Sequence, residues 1–158
     1  MVERFRVVPA VYVVFRREAP GRPAAAEVLL QLRQHTGYMD GHWATAAAGH
    51  VEADESVFAA AVREVREELG VTVRTEDLVP LTAMHRTAGD GDSVNERVDF
   101  FLTTTAWQGE PSVREPDKCA DLAWFALDAL PDPVVPHEAE VFDRLRRGHV
   151  PAILAHGF

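Results

Sequence analysis

Three glutamates could carry chemistry. Glu64, Glu67 and Glu68 stand at i, i+3 and i+4, a spacing that gathers them on one side of an α-helix. Like charges so placed cost an isolated helix roughly 0.2–0.5 kcal/mol per pair. A cation among them removes that cost. All-oxygen donors suit a hard ion, Mg²⁺ or Mn²⁺. For a charge cluster taken alone, a solvated face balanced by Arg63 and Arg66 is the plainer reading.

The glutamates sit in a stretch, Gly49 to Val71, that reads GHVEADESVFAAAVREVREELGV. Asp54 and Ser56 are good helix N-caps and Gly70 a good C-terminal stop, so a helix is expected between them. On it Phe58, Ala61, Val62, Val65 and Leu69 form one apolar stripe, with the glutamates and small Ala60 on the neighbouring face. Before it, Trp43 to Ala48 reads as a short extended segment whose small residues let the backbone pass close to a helix or ligand.

Valine- and aromatic-rich runs supply the other elements. Residues 5–16 read as a strand with Pro9 near its start. A turn over 19–23 and a second strand over 27–33 complete a hairpin. Residues 71–73, 78–85, 95–107 and 121–127 read as further β segments, with mobile or turning sequence at 87–93 and 108–111. A helix is expected from Glu138, with Val141, Phe142 and Leu145 on one face, and the tail 150–158 is apolar enough to pack down. Strands with two helices imply an α+β or α/β sandwich, helices covering a mixed sheet.

The bulk numbers agree with one domain, residues 1–158. The 158 residues are 47% hydrophobic and 26% charged, ordinary for a globular protein. A formal charge of −9 argues against a partner that is a nucleic-acid polymer or an anionic membrane surface. A small nucleotide stays compatible, because bound metal supplies local positive charge. The lone Cys119 excludes an internal disulfide framework and fits a reducing compartment. No run of 18 apolar residues is present, and Glu3, Arg4, Arg6 and Pro9 do not make a signal peptide. The expected location is the cytoplasm.

Gly49, Glu55, Arg63-Glu64-Val65, Glu67-Glu68 and Gly70-Val71 resemble the signature of the Nudix hydrolases, G-x5-E-x7-R-E-U-x-E-E-x-G-U with U aliphatic, at every specified position. The WQGEP turn and the strand holding Trp124-Phe125 extend the resemblance over nearly the whole chain. It implies the Nudix fold, an α/β/α sandwich with a central mixed β-sheet. It also implies metal-dependent cleavage of a nucleoside diphosphate linked to another group. Glu64, Glu67 and Glu68 match the metal-ligating glutamates, and the carbonyl of Ala48 matches a further ligand. Arg63 and Glu55 match positions that brace the loop-helix turn around Gly49. One departure is the loop entrance, Ala46-Ala47-Ala48-Gly49, where many members read L-P-G-G.

A base outside the signature is often needed to deprotonate the water. Glu115, four residues after Gly109-Glu110-Pro111, matches a glutamate that approaches the metals in MutT-like members, and Glu96 is the alternative. Arg33, closing its strand near the box loop, could grip a phosphate. Glu138, after Val135-Pro136-His137, falls in the stretch where acidic residues read the purine edge in some nucleotide-sanitising members, with Val135 in place of an aromatic and His137 in place of an acid. His50 could face phosphate or solvent, and Phe100, Phe101, Trp107 and Trp124 could include a stacking ring. The expected activity is a (d)NTP pyrophosphohydrolase releasing a monophosphate and pyrophosphate. An NDP-sugar, dinucleotide polyphosphate or related hydrolase is the alternative, and a silent nucleotide-binding module the third reading. The chain is expected as a monomer or homodimer.

Overall fold

The computed structural model describes residues 4–158. Its strands are β1 (Val8–Ala19), β2 (Arg22–Arg33), β3 (Trp43–Thr45), β4 (Ala47–His50), β5 (Val79–Arg86), β6 (Arg97–Thr104), β7 (Cys119–Ala126) and β8 (Ile153–His156). Two helices accompany them, α1 (Val57–Leu69) and α2 (Pro136–Arg146).

β1 carries the architecture. Residues 10–15 are buried without a break, which is why the segment reads as a continuous apolar run and not as an alternation. Val11, Val13 and Phe15 pack in one core with Ala61, Val65 and Leu69 of α1. Ala10, Tyr12 and Val14 pack on the opposite face with Val141 and Phe142 of α2. A strand buried on both faces has to lie between two helical layers, so the expected α/β/α sandwich follows.

The sheet is mixed. Its main path runs β3-β2-β1-β6-β5-β8, with β4 on β1 and β7 on β2. β1 is antiparallel to β2 and β4 but parallel to β6, and β8 is parallel to β5. The turn expected over 19–23 is tighter than that: Ala19 pairs with Arg22, and Gly21 supplies the positive φ, 72°, that a two-residue link needs.

Four sequence expectations shift. The segment 43–48 divides at Ala46 into β3, which pairs with β2, and β4, which pairs with β1. Residues 71–73 make no strand; only Thr72 bridges to Gln108, while Val71 and Val73 are in the core. The second helix starts at Pro136, two residues early, because proline suits the first helical position. The tail packs chiefly as an edge strand: Leu154 is buried, yet Ile153 and Phe158 stay exposed.

Candidate metal and nucleotide site

α1 forms where its caps place it. The Ser56 side chain accepts the Ala59 N–H at 3.1 Å, and Gly70 closes the helix at φ 70° with its N–H on the Arg66 carbonyl. Ala60, Ala61, Val65 and Leu69 are buried while Phe58 and Val62 are half-buried. The stripe therefore holds α1 against β1 and β4 and turns the glutamates toward the β4 edge.

There the loop and the helix are locked together. The Ala48 N–H donates to Oε2 of Glu68 at 2.7 Å. In the β1–β4 ladder Ala48 faces Tyr12, and its N–H points away from β1. The carbonyl of an extended residue lies on the same edge as its N–H, so the Ala48 carbonyl also faces α1. At Gly49 a Cβ would land on Cδ and both carboxylate oxygens of Glu64. Glycine is required here for this close approach, since its φ is not in the left-handed region.

Arg63 ties the turn. Its Nε and Nη2 donate to Glu55 at 2.8 and 3.0 Å, Nη2 also donates to the His50 carbonyl at 3.0 Å, and Nη1 reaches Glu64 at 2.7 Å and Glu67 at 3.4 Å. Its hydrogen bond to Glu55 is the main reason the Glu55 carboxyl is held down to about 2. The 112–115 segment is stapled to the end of α1 by the Ser112 and Arg114 N–H groups on the carbonyls of Leu69 and Glu68. That staple brings Glu115 beside the helix, where its side chain also takes Lys118 at 3.0 Å.

Electrostatics mark this corner as short of positive charge. Burial pushes the Glu68 carboxyl up to about 8, and the charges of Glu64 and Glu115 add to it, against the Ala48 N–H and Arg33. Glu64 is raised as well, by burial first and then by Glu67 and Glu115, with Arg63 opposing. Among the described residues no three His, Cys, Asp or Glu side chains already surround one point, since Glu64 and Glu67 are turned onto Arg63 and Glu68 onto Ala48. The donor set still fits a hard divalent ion: carboxylate oxygens that repel one another, a backbone carbonyl on the same edge, and the space at Gly49 that Glu64 occupies. Glu96 is elsewhere, accepting the Thr87 hydroxyl at 2.7 Å.

A cleft of about 360 Å³ opens beside Ala48, Gly49 and His50, with Tyr12, Tyr38, Arg33, Arg86, Arg97 and Glu138 among its lining. Arg33 holds the loop after β2, its Nε on the Tyr38 carbonyl at 2.9 Å and Nη2 on the Thr36 hydroxyl at 3.0 Å. His50 receives Nη1 of Arg97 at 3.1 Å. Glu138 is buried and accepts the Thr45 N–H; burial pushes its carboxyl up to about 7, against that N–H and Arg33. Its neighbour His137 lies behind the cleft, 3.2 Å from the Tyr12 hydroxyl, and burial holds it neutral with its pKa near 2.

None of the four candidate rings, Phe100, Phe101, Trp107 and Trp124, lines the cleft. Phe101 is core, stacked on Tyr12 at 4.5 Å. Trp107 packs on Phe15 and Trp124, Arg17 covers Trp124, and Phe100 is not among the lining residues. Period-2 alternation sends large rings of a central strand into the core. Tyr12 and Tyr38 are the aromatic lining instead. Sequence reasoning also missed Arg86, Arg97 and the fully buried Asp99 between them, with Asp99 Oδ2 2.7 Å from Arg86 and Oδ1 3.2 Å from Arg97. An acid two residues after an arginine inside an apolar strand was the available signal.

A mixed sheet between two helices, with a loop-helix corner of clustered glutamates, defines the class. The family model described as NUDIX domain matches residues 6–145, and the chain belongs to that family. It is 33% identical over 105 residues to an isopentenyl-diphosphate Delta-isomerase of Ruegeria pomeroyi, a match covering 66% of this chain and 58% of that relative's length. A solved MutT NUDIX hydrolase from Burkholderia pseudomallei superposes with a TM-score of 0.74 at 28% identity, over 89% of this chain and 98% of its own. The NUDIX domain of Shewanella oneidensis NrtR, solved with ADP ribose, shares the fold at 16% identity and a TM-score of 0.67, over 90% of this chain and 88% of its own. Among the described residues no helix is long and apolar enough to cross a membrane.

Proposed function

We propose that this protein is a Mg²⁺- or Mn²⁺-dependent pyrophosphohydrolase acting on a small nucleoside diphosphate derivative. The carrying observation is the box loop locked onto α1, with Glu68 on the Ala48 N–H, Glu64 over Gly49 and Arg63 joining His50 to Glu64, next to an arginine-lined cleft. Glu64, Glu67, Glu68 and the Ala48 carbonyl would hold the cation. When bound, it neutralises diphosphate oxygens and acidifies a water. Arg63 positions the ligands by fixing the turn between His50 and Glu55. Glu115 takes the water's proton, favoured over Glu96 by its place next to the segment that is bonded to the end of α1. Arg33 meets a phosphate at the cleft mouth, and Glu138 faces the nucleoside from the cleft floor.

The preferred substrate class is a (d)NTP, cleaved to a monophosphate and pyrophosphate, in the cytoplasm, by a monomer or homodimer. A second reading, hydrolysis of NDP-sugars, dinucleotide polyphosphates or similar derivatives, gains weight from the ADP ribose held by the NrtR domain. A catalytically silent module is disfavoured because every glutamate of the signature is present. The deciding experiment is a screen of NTPs, modified dNTPs, NDP-sugars, ADP-ribose and dinucleotide polyphosphates, with and without Mg²⁺ or Mn²⁺ and with products identified. The expected result is metal-dependent turnover abolished by EDTA. Turnover indifferent to EDTA, or nucleotide binding with no turnover at all, would overturn the proposal.

A further inference from the structure

The signature's chemistry uses one corner of the cleft, whereas its far wall carries a cluster that this chemistry leaves idle. Arg86 ends β5 and Arg97 begins β6, and the ladder sets them directly opposite each other. Like charges in that register repel. Asp99 stands between them, wholly buried, taking Nε of Arg86 at 2.7 Å and Nε of Arg97 at 3.2 Å. The arginines are themselves nearly buried, at 10% and 13% exposure, so two guanidinium ions share one carboxylate. His137, 3.8 Å from Asp99, is neutral and cancels nothing. Glu138 is the other acid of the wall, but Arg33 adds a third guanidinium there. The cleft thus holds three guanidinium ions against two carboxylates, in a chain whose formal charge is −9.

A buried charge in excess is expensive without a counter-ion. If these residues only joined strand ends, an apolar pair would serve as well. Because each arginine turns its Nε to Asp99, the terminal N–H groups of Arg86 and Nη2 of Arg97 are left for recognition, while Nη1 of Arg97 is on His50 at the cleft side of the box loop. A guanidinium held in one orientation by a carboxylate is a preset donor for phosphate oxygens. Its distance from the glutamate corner also matters. Arg97 reaches back to the box loop at His50, whereas β5, which carries Arg86, stands three strands from β4 across β1, roughly 14 Å backbone to backbone at the usual strand spacing. One diphosphate at the box loop does not span the distance to Arg86, but a nucleoside does.

We propose that Arg86 and Arg97, set by Asp99, bind a second phosphate of the substrate, remote from the diphosphate that is cleaved. The inference rests on the hydrolase reading above. Within the second reading of that function, it singles out nucleoside diphosphate derivatives that carry a further phosphate ester. The same chemistry would hold free phosphate, so the test separates the two.

The test is calorimetric titration of the full chain in EDTA with AMP, adenosine 2′,5′-bisphosphate, adenosine 3′,5′-bisphosphate and inorganic phosphate. At least one bisphosphate is expected to bind ten times or more tightly than AMP, with the ratio falling below threefold in Arg86→Gln and in Arg97→Gln. Inorganic phosphate binding more tightly than either bisphosphate would overturn the substrate assignment. A bisphosphate-to-AMP ratio near one in the wild type, or one unchanged in both variants, would overturn the site itself. Arg97→Gln keeps the shorter Arg86–Asp99 pair, so it carries the test if circular dichroism shows Arg86→Gln unfolded. Metal-dependent hydrolysis can fail while the arginine-dependent ratio persists, which would sink the hydrolase reading and leave the site. The reverse pattern would sink the site alone.

Discussion

Replacing Gly49 by alanine tests how the glutamate corner is built. The added methyl would fall inside the carboxyl group of Glu64, so the carboxylate, not the backbone, must move. Gly49 is outside the left-handed region and alanine brings no φ strain. Moving Glu64 breaks its 2.7 Å bond to Arg63, and its side chain is only 12% exposed. Overpacking of this kind costs about 1–3 kcal/mol, and a flexible side-chain end points to the lower figure. For a chain of this size that is a fall in Tm of about 2–4 °C per kcal/mol. Activity should suffer far more, by roughly 10²-fold, since a shift of about 1 Å in a positioning group has that effect. The assay is a thermal melt and metal-dependent kcat/KM for Gly49→Ala, Glu64→Ala and the double variant. Because the clash needs the Glu64 side chain, Gly49→Ala should cost less than about 0.5 kcal/mol in the Glu64→Ala background, the usual limit for uncoupled sites. A full stability loss in that background, or wild-type kcat/KM in Gly49→Ala, would refute the account.

Arg63→Lys keeps a charge but cannot span His50, Glu55 and Glu64 with one planar fork; kcat is expected to fall at least tenfold with KM changed less, and unchanged kcat would show that the turn needs no such brace. Glu115→Gln should lower kcat by about 10²-fold or more while Glu96→Gln leaves it near wild type, and the opposite pattern would exchange their roles. Glu138 ties stability to pH. Its folded pKa, about 7, lies above the 4.5 of the free side chain, so the folded state holds the proton more tightly and this contribution is full below pH 4.5 and lost as pH rises through 7. That loss is on the order of 3 kcal/mol for a shift of this size. Urea unfolding at pH 5 and pH 8 should show Glu138→Gln gaining on the wild type at the higher pH. A constant difference between the two proteins would contradict the assignment.

The parts of the fold that local chemistry decides were legible in the sequence. Ser56 and Gly70 mark the ends of α1, and the unbroken apolar run of β1 reports burial on both faces. The parts set by distant partners were not. Nothing within Trp43 to Ala48 says that Thr45 pairs with β2 and Ala47 with β1, or that residues 153–156 add an edge strand. The aromatic rings were legible only in part: alternation says that most are buried, but not whether a core or a cleft receives a given one.

The two charged clusters show what kind of residue escapes such reading. Glu64, Glu67 and Glu68 repel along one helix, so their conflict is visible in a seven-residue window. Arg86 and Arg97 repel across a ladder whose register joins the two ends of a ten-residue loop, so theirs appears only once β5 and β6 are paired. Each set breaks a local rule of stability, and such breaches concentrate where a ligand supplies the missing charge. For the glutamates, the proposed function supplies that charge as a cation at the β4 edge. By the same logic the arginine pair, with Asp99 able to answer only one of its charges, calls for an anion at the far wall of the same cleft. A single substrate carrying both a diphosphate and a remote phosphate would meet both demands at once, whereas two separate ligands would each have to bear the entropy of binding alone.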